Sequence, residues 1–412
     1  MSARLAALRS RDFRLLFIGQ IISLTGSQMQ TVAVPYQIYK LTGSSLALGL
    51  VGLCRVIPVI LFALGGGVIA DALDRRRLMF LSQGLMAACS LTLAWTTRSG
   101  HITPAVLYSV IAVGGGALAL DSPARQSLVP LLVPREHLAN AIGLHAMAWE
   151  IAAIAGPSLA GLLIAWRGVF PVYVLDALSF SAVIGALLAM RHRAPPRTTT
   201  NISIQAAIDG LRFLRRSPLI LSTMVLDFVA TFFAGSLLLL PVYADRILSV
   251  GPRGLGLLYA AQPIGAALAA ATLAARGTIR RQGVAVLWSI AIYGAAIAAF
   301  GLSRWLALSM VLLAISGAAD TVSMVVRQTL RQLLTPDELR GRMTSVNMIF
   351  FIGGPQLGEL EAGVVARAVG PRFSVASGGL ACIVAAIVAA VALPSLRKLT
   401  SADYGIDSGA RS

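Results

Sequence analysis

Three ionisable residues, Arg55, Glu150 and Asp227, stand deep inside long apolar stretches of the chain. A charge in such a place is costly in a membrane helix and marks an ion or substrate path by default. Arg55 shares a helical face with Gly52, Pro58 and Phe62, and Asp227 shares one with Thr223, Thr231 and Ala234. A lipid-facing stripe would consist of Leu, Ile and Val, so both residues are expected to face a cavity. Glu150 falls in step with Gly143, Met147, Ile154, Pro157 and Gly161, all on one face of a 3.6-residue helix. Arginine stays charged at any working pH, so Arg55 must pair or face water and suits an anion. A carboxyl group drawn toward the neutral acid by desolvation and toward the carboxylate by a nearby cation suits a proton loaded on one side and released on the other. Glu150 is the first choice for that proton and Asp227 the rival, and both join Arg55 as candidates for contact with cargo. Asp176 and Asp320 lie nearer the segment ends and read at least as well as structural hydrogen bonders. Glu359 and Glu361 are two residues apart and point to different sides of their helix.

These residues need membrane helices to position them. Hydrophobic residues make up 57% of the 412 and charged ones 12%, against roughly 25% charged in soluble chains. Apolar runs long enough to span a bilayer as helices follow one another, so the chain reads as an all-α polytopic membrane protein. Twelve helices are expected near 14–39, 45–70, 77–97, 103–124, 138–165, 169–190, 218–243, 254–275, 282–302, 305–328, 342–367 and 371–394. They form two six-helix halves, 1–190 and 218–396, with a cytoplasmic linker at 191–217 and a cytoplasmic tail at 397–412. Within the linker, Ile204, Ile208, Leu211 and Leu214 oppose Gln205, Asp209, Arg212 and Arg216, the pattern of an amphipathic helix on the membrane surface. The basic, then apolar N-terminus reads as a first membrane helix rather than a cleaved signal.

The net charge of +17 invites a nucleic-acid reading, but its distribution argues against one. With the N-terminus inside, 25 Lys and Arg fall on cytoplasmic segments, eight on outer segments, and Arg55 lies within a helix, completing the 34. The positive charge is therefore topological, placing both termini in the cytoplasm and favouring anionic lipid headgroups. Cys54, Cys89 and Cys382 all lie in apolar segments, and the four histidines are scattered. No disulfide, metal site or cofactor is expected. Neither is an enzyme, since His145 has no nucleophile at a telling spacing.

The chain repeats itself. RQSLVPLLVPRE at 125–136 returns as RQTLRQLLTPDE at 327–338, with seven of twelve positions identical. Gly49, Pro58 and Arg75-Arg76 return as Gly254, Pro263 and Arg280-Arg281, and GPSL at 156–159 as GPQL at 354–357. Doubled halves of one orientation suit a transporter that binds its substrate between them and rocks one against the other. Each copy of this twelve-residue stretch is expected in a cytoplasmic loop.

At this point the sequence resembles the major facilitator superfamily. The stretch GVIADALDRRR matches the family's loop signature at Gly67, Asp71, Arg75 and Arg76, with Ala72 and Asp74 departing from it. The resemblance implies a latch between the halves on the cytoplasmic side. The fifth helix carries the family's exporter pattern at Gly143, Gly156, Pro157 and Gly161, with Ala152 and Ala160 in place of two glycines. Further stretches, VAVPYQIYKLTGSS, GLRFLRRSP, GLLYAAQPIGAA and LLTPDELRGRM, are similar to the enterobactin-exporter and macrolide-efflux branch. That implies a proton-coupled antiporter, a monomer in the cell inner membrane, exporting a small amphipathic molecule such as a siderophore. Multidrug efflux and lysolipid transport on the same fold remain open.

Overall fold

The computed structural model describes residues 3–72, 74–191, 212, 214, 217–277, 279–335 and 340–400, with side chains placed for all of these except 3–5, 59, 62–72, 236, 340–349 and 351–352. Among the described residues, twelve long helices follow one another: α1 Arg11–Thr42, α2 Ser45–Ala72, α3 Arg75–Arg98, α4 Pro104–Leu132, α5 Leu138–Arg167, α6 Phe170–Ala189, α7 Pro218–Phe233, α8 Gly251–Arg276, α9 Gln282–Leu302, α10 Leu306–Leu334, α11 Arg340–Val369 and α12 Pro371–Ala392. α7 continues through short 3-10 and helical turns into a π turn at Tyr243–Ile247. No strand occurs among the described residues.

The local chemistry explains the ends. α1 stops at Gly43, whose φ of 61° suits a left-handed cap, and its N–H donates to the Tyr39 carbonyl. α4 starts with Pro104 at its first position after Thr103, whose hydroxyl accepts from the Val106 N–H. α12 starts the same way, with Pro371 after Gly370 at φ 98°. Apolar residues carry the rest of each helix. Among the described residues, nine helices are long and apolar enough to cross a membrane: α3 to α6, α7 with its continuation, α8 to α10, and α12. Their outward faces bear bare apolar side chains such as Leu81, Leu162, Leu188 and Val391, which water would not tolerate in a patch of this size. Trp95, Trp166 and Trp305 stand exposed at helix ends, as an interfacial belt requires. This is a multi-pass membrane protein.

The chain divides into two compact units. The first holds Met1–Gly43, Cys54–Ile202 and Val250–Ala260; the second holds Ser44–Leu53, Ser203–Ser249 and Ala261–Ser412. In the first, α1 packs on α5 and α6, and α3 packs on α4 and α6; in the second, α7 packs on α11 and α12, and α9 packs on α10 and α12. The pairing is the same six places later, as the repeat in the sequence requires. Gly156 lies against Thr25 and Gln28 of α1, and its repeat partner Gly354 lies against Phe228 and Thr231 of α7.

One expectation is corrected here. The repeated stretch at 125–136 and 327–338 does not begin in loops, because α4 runs on to Leu132 and α10 to Leu334. Pro130 does not end α4: it lies within the helix, as does Pro123. Arg125 and Arg327 are therefore helical, and both are largely buried. The linker at 191–217 lies mostly outside the described residues, as does the tail beyond residue 400. Where the tail begins, Leu396 and Leu399 pack on Gly283 at the start of α9.

Candidate functional site

Arg55 and Glu150 belong to the first unit and Asp227 to the second. Arg55 sits in the third turn of α2, half-buried, with its backbone against Gly115 of α4. Among the described residues its side chain has no ion pair. Glu150 sits in the middle of α5, also half-buried, and likewise has no hydrogen bond or ion pair among the described residues. Its face is graded rather than uniform. Gly143 and Met147 are exposed, Ile154 is half-buried, and Pro157 and Gly161 are buried.

Asp227 is in a different situation. It meets Arg327 of α10 in direct contact, with both side chains mostly withdrawn from solvent. Asp320 and Arg331 of α10 and Tyr293 of α9 lie within electrostatic reach of this pair. The first unit carries its own version. Arg125 pairs with Asp121 one turn earlier on α4 at 3.1 Å, and Gln83 of α3 donates to the other carboxylate oxygen at 3.0 Å. The Arg125 contact is charge to charge rather than a well-aligned hydrogen bond, since it leaves Asp121 Oδ2 without a hydrogen-bond donor. Arg125 also acts on His145 of α5. The two arginines that open the repeated stretches thus each neutralise a carboxylate inside their own unit. Their signal was present in the sequence: a four-residue Asp–Arg spacing in one copy, and an arginine recurring where the helix is still apolar on both sides.

Arg75 and Arg76 brace their own unit. Arg75 donates to the Ser127 carbonyl of α4 at 3.2 Å and Arg76 to the Leu188 carbonyl of α6 at 3.3 Å. Gly67 and Asp71 lie on the last turns of α2, and the Asp71 side chain is outside the described residues.

The α5 motif divides by function. Gly161 faces α8: an added Cβ would come within 2.7 Å of the Pro252 carbonyl and 2.9 Å of the Gly256 Cα. Gly256 in turn lies against the Pro157 carbonyl, and Ala152 and Ala160 are fully buried. Gly143 has nothing within 4 Å of such a Cβ. In the second unit, Gly49 and Gly363 give α2 and α11 an equally close crossing, and Gly52 lies beside Glu359. Small residues at such crossings let backbones approach where any side chain would hold them apart. Gly161→Leu is therefore expected to cut transport at least about tenfold, while Gly143→Leu stays within about twofold of wild type. Transport per molecule of membrane-inserted protein checks both. A Gly161→Leu protein that transports normally would show that the crossing does not matter.

Helix packing that repeats six places later, an ion pair withdrawn from solvent in each unit and close glycine crossings between membrane helices are the frame that a membrane transporter needs. The family model described as transmembrane secretion effector matches residues 2–405, and the chain belongs to that family, within the major facilitator superfamily. Among characterised relatives, it is 27% identical to the enterobactin exporter EntS of Shigella boydii serotype 18 over 389 residues, 94% of this chain and 92% of that one. The identity and coverage are the same with EntS of Escherichia coli O139:H28. Solved structures share the fold. A bacterial homologue of the iron transporter ferroportin in an inward-facing state matches with a TM-score of 0.71 at 16% identity, covering 94% of this chain and 99% of that one. A POT family transporter in complex with 5-aminolevulinic acid matches with a TM-score of 0.76 at 11% identity, covering 94% and 97%.

Proposed function

We propose that this protein is a proton-coupled antiporter that exports a small, amphipathic, anionic molecule by alternating access. A siderophore is the class suggested by the name of the exporters it is similar to. The observation that carries the anionic cargo is the contrast among the arginines within helices. Arg125 and Arg327 are each held by an aspartate, whereas Arg55 has no ion pair among the described residues. A half-buried cation with no ion pair among the described residues is a site an anion completes.

In this reading Glu150 carries the proton and Arg55 anchors the cargo. Asp227, held by Arg327, contributes to cargo binding and to the balance of states. Gly67, Asp71, Arg75 and Arg76 form the latch at the cytoplasmic end, and residues 1–190 and 218–396 are the halves that rock. The protein works as a monomer in the inner membrane with both termini inside, among anionic lipids.

Inverted membrane vesicles test the reading, with cargo uptake followed with and without an imposed pH gradient. A catecholate siderophore, a neutral macrolide and a lipophilic cation serve as cargo. Arg55→Ala is expected to insert normally and to weaken the anionic cargo about tenfold or more, the scale of a lost charge-assisted hydrogen bond. The neutral cargo should change by less than about threefold. Equal binding of both by the variant would refute the anionic reading, and wild-type preference for the cation would favour multidrug efflux.

A further inference from the structure

Among the described residues the first unit holds two carboxylic side chains at 0% exposure, Asp121 and Asp176. Asp121 is neutralised by Arg125 and bonded by Gln83. Asp176, on α6, has no cation among the described residues. Its Oδ2 accepts from the Ser90 hydroxyl of α3 at 2.6 Å, and Ser90 Oγ accepts in turn from Gln30 Nε2 of α1 at 3.1 Å. Its Oδ1 is buried with no partner. That oxygen faces Gly26 of α1, where an added Cβ would lie 3.0 Å away.

A second polar set lies nearer the ends of the same three helices. The Tyr173 hydroxyl of α6 donates to Gln37 Oε1 of α1 at 2.7 Å, and Gln37 Nε2 donates to Thr97 Oγ1 of α3 at 3.0 Å. The two sets share a register. Gln30 and Gln37 are seven residues apart on α1, as Ser90 and Thr97 are on α3, so each pair lies two turns apart on one face. Tyr173 is one turn from Asp176 and within its electrostatic reach. Thr97 is half-exposed, so the two sets form a polar seam whose outer set reaches the surface of the unit and whose inner set holds Asp176, with no hydrogen bond joining the two among the described residues. From α1 the groups that face the seam are Gln30 and Gln37, from α3 Ser90 and Thr97, and from α6 itself Tyr173 and Ser179. α5 also packs on α6, but its ionisable residues His145, Glu150 and Arg167 make no hydrogen bond or ion pair with Asp176 among the described residues.

We propose that Asp176 is a second proton-binding site of the transport cycle, loaded through the seam that opens at Thr97. A lone carboxylate among membrane helices is a functional group by default, and a carboxylic acid supplies at Oδ1 the hydrogen that this oxygen lacks. The step is a proton transfer alone. A proton from water adds to a carboxylate oxygen, the carboxylic acid forms, and release restores the carboxylate with Ser90 still donating to Oδ2. The inference rests on the proton coupling proposed above and adds one proton to it.

Two measurements on the full chain test it separately. The first is infrared titration in lipid, which needs no cargo. Wild type and Glu150→Gln should both show a protonated carboxyl band whose intensity changes with pH across the range in which the protein transports, and Asp176→Asn should lack it. A band that stays constant across that range marks a locked structural acid and overturns the proposal, as does a band that is absent throughout. Should Asp176→Asn fail to insert, Ser90→Ala carries this arm, and removal of the hydroxyl should move the titration midpoint by about one unit. The second measurement is cargo accumulation in inverted vesicles at a fixed gradient. Losing one of two coupled protons should lower the limiting accumulation by about tenfold per pH unit. Asp176→Asn that reaches the wild-type limit overturns the proposal. A wild type indifferent to the pH gradient would instead bring down the coupling reading itself, which the infrared arm does not touch.

Discussion

Glu150→Gln is expected to cut the uphill accumulation driven by a pH gradient by the share of one proton, about tenfold per pH unit, while leaving exchange of cargo down its own gradient near the wild-type rate. The carboxyl lies halfway along α5, among neighbours that divide the helix. Trp149 and Ile151 are exposed, while Ala148, Ala152 and Ala153 are buried. Glu150 between them is half-buried and has no partner among the described residues. It is therefore not a surface charge, and among the described residues no ion pair fixes it. Glutamine keeps the shape and the uncharged state of the protonated acid but cannot release a proton. A coupled exporter that loses its proton carrier still alternates between states, since binding of cargo still biases them. The limiting accumulation should fall by the factor that one coupled proton contributes, about tenfold per pH unit. Radiolabelled cargo in inverted vesicles reads both quantities. If Glu150→Gln concentrates cargo as wild type does, the role passes to another carboxyl, and Asp227→Asn is the next variant to measure.

The largest effect on stability is expected at Asp227 and Arg327. Both side chains are withdrawn from solvent, at 16% and 11% exposure, and Asp320, Arg331 and Tyr293 stand near enough to respond to either charge. Removing one partner leaves the other as an uncompensated charge, which costs about 3–5 kcal/mol in buried pairs. Asp227→Asn or Arg327→Gln should therefore lower the thermal midpoint strongly, and Arg327→Gln should also strand Asp320. The double variant Asp227→Asn/Arg327→Gln removes both charges and should recover more than half of the loss, because coupled residues are not additive. Thermal unfolding of the purified protein in one detergent checks the cycle. Losses that simply add would show that the contact has no energetic weight.

Much of this molecule was legible as pattern. Membrane helices declare themselves because each must satisfy its own backbone and present apolar residues to lipid, so α5, α6, α9 and α12 fall within a few residues of the expected bounds. The doubling was legible too, since Gly156 and Gly354 recur for one reason, the close approach of α5 to α1 and of α11 to α7. The ends of α4 and α10 were not. Proline and charge normally signal a loop, but in α4 the helix continues through Pro130, and in α10 it carries two arginines inward. A sequence cannot say that Arg327 will find Asp227, one hundred residues away, because that pairing exists only when α7 and α10 pack.

By itself, then, the sequence determined the class, the count of helices, the repeat and the residue types available for chemistry, for these follow from local periodicity and from what lipid permits. Only the tertiary structure decided which charges are spent on each other and which are left. It assigned Arg125 to Asp121 and Arg327 to Asp227. It left Arg55 and Glu150 without an ion pair among the described residues. It buried Asp176, read as a structural hydrogen bonder nearer a segment end, completely and with Ser90 donating to it. The reason is that the cost of a charge depends on what packs around it, and neighbours on other helices are set by the fold rather than by distance along the chain.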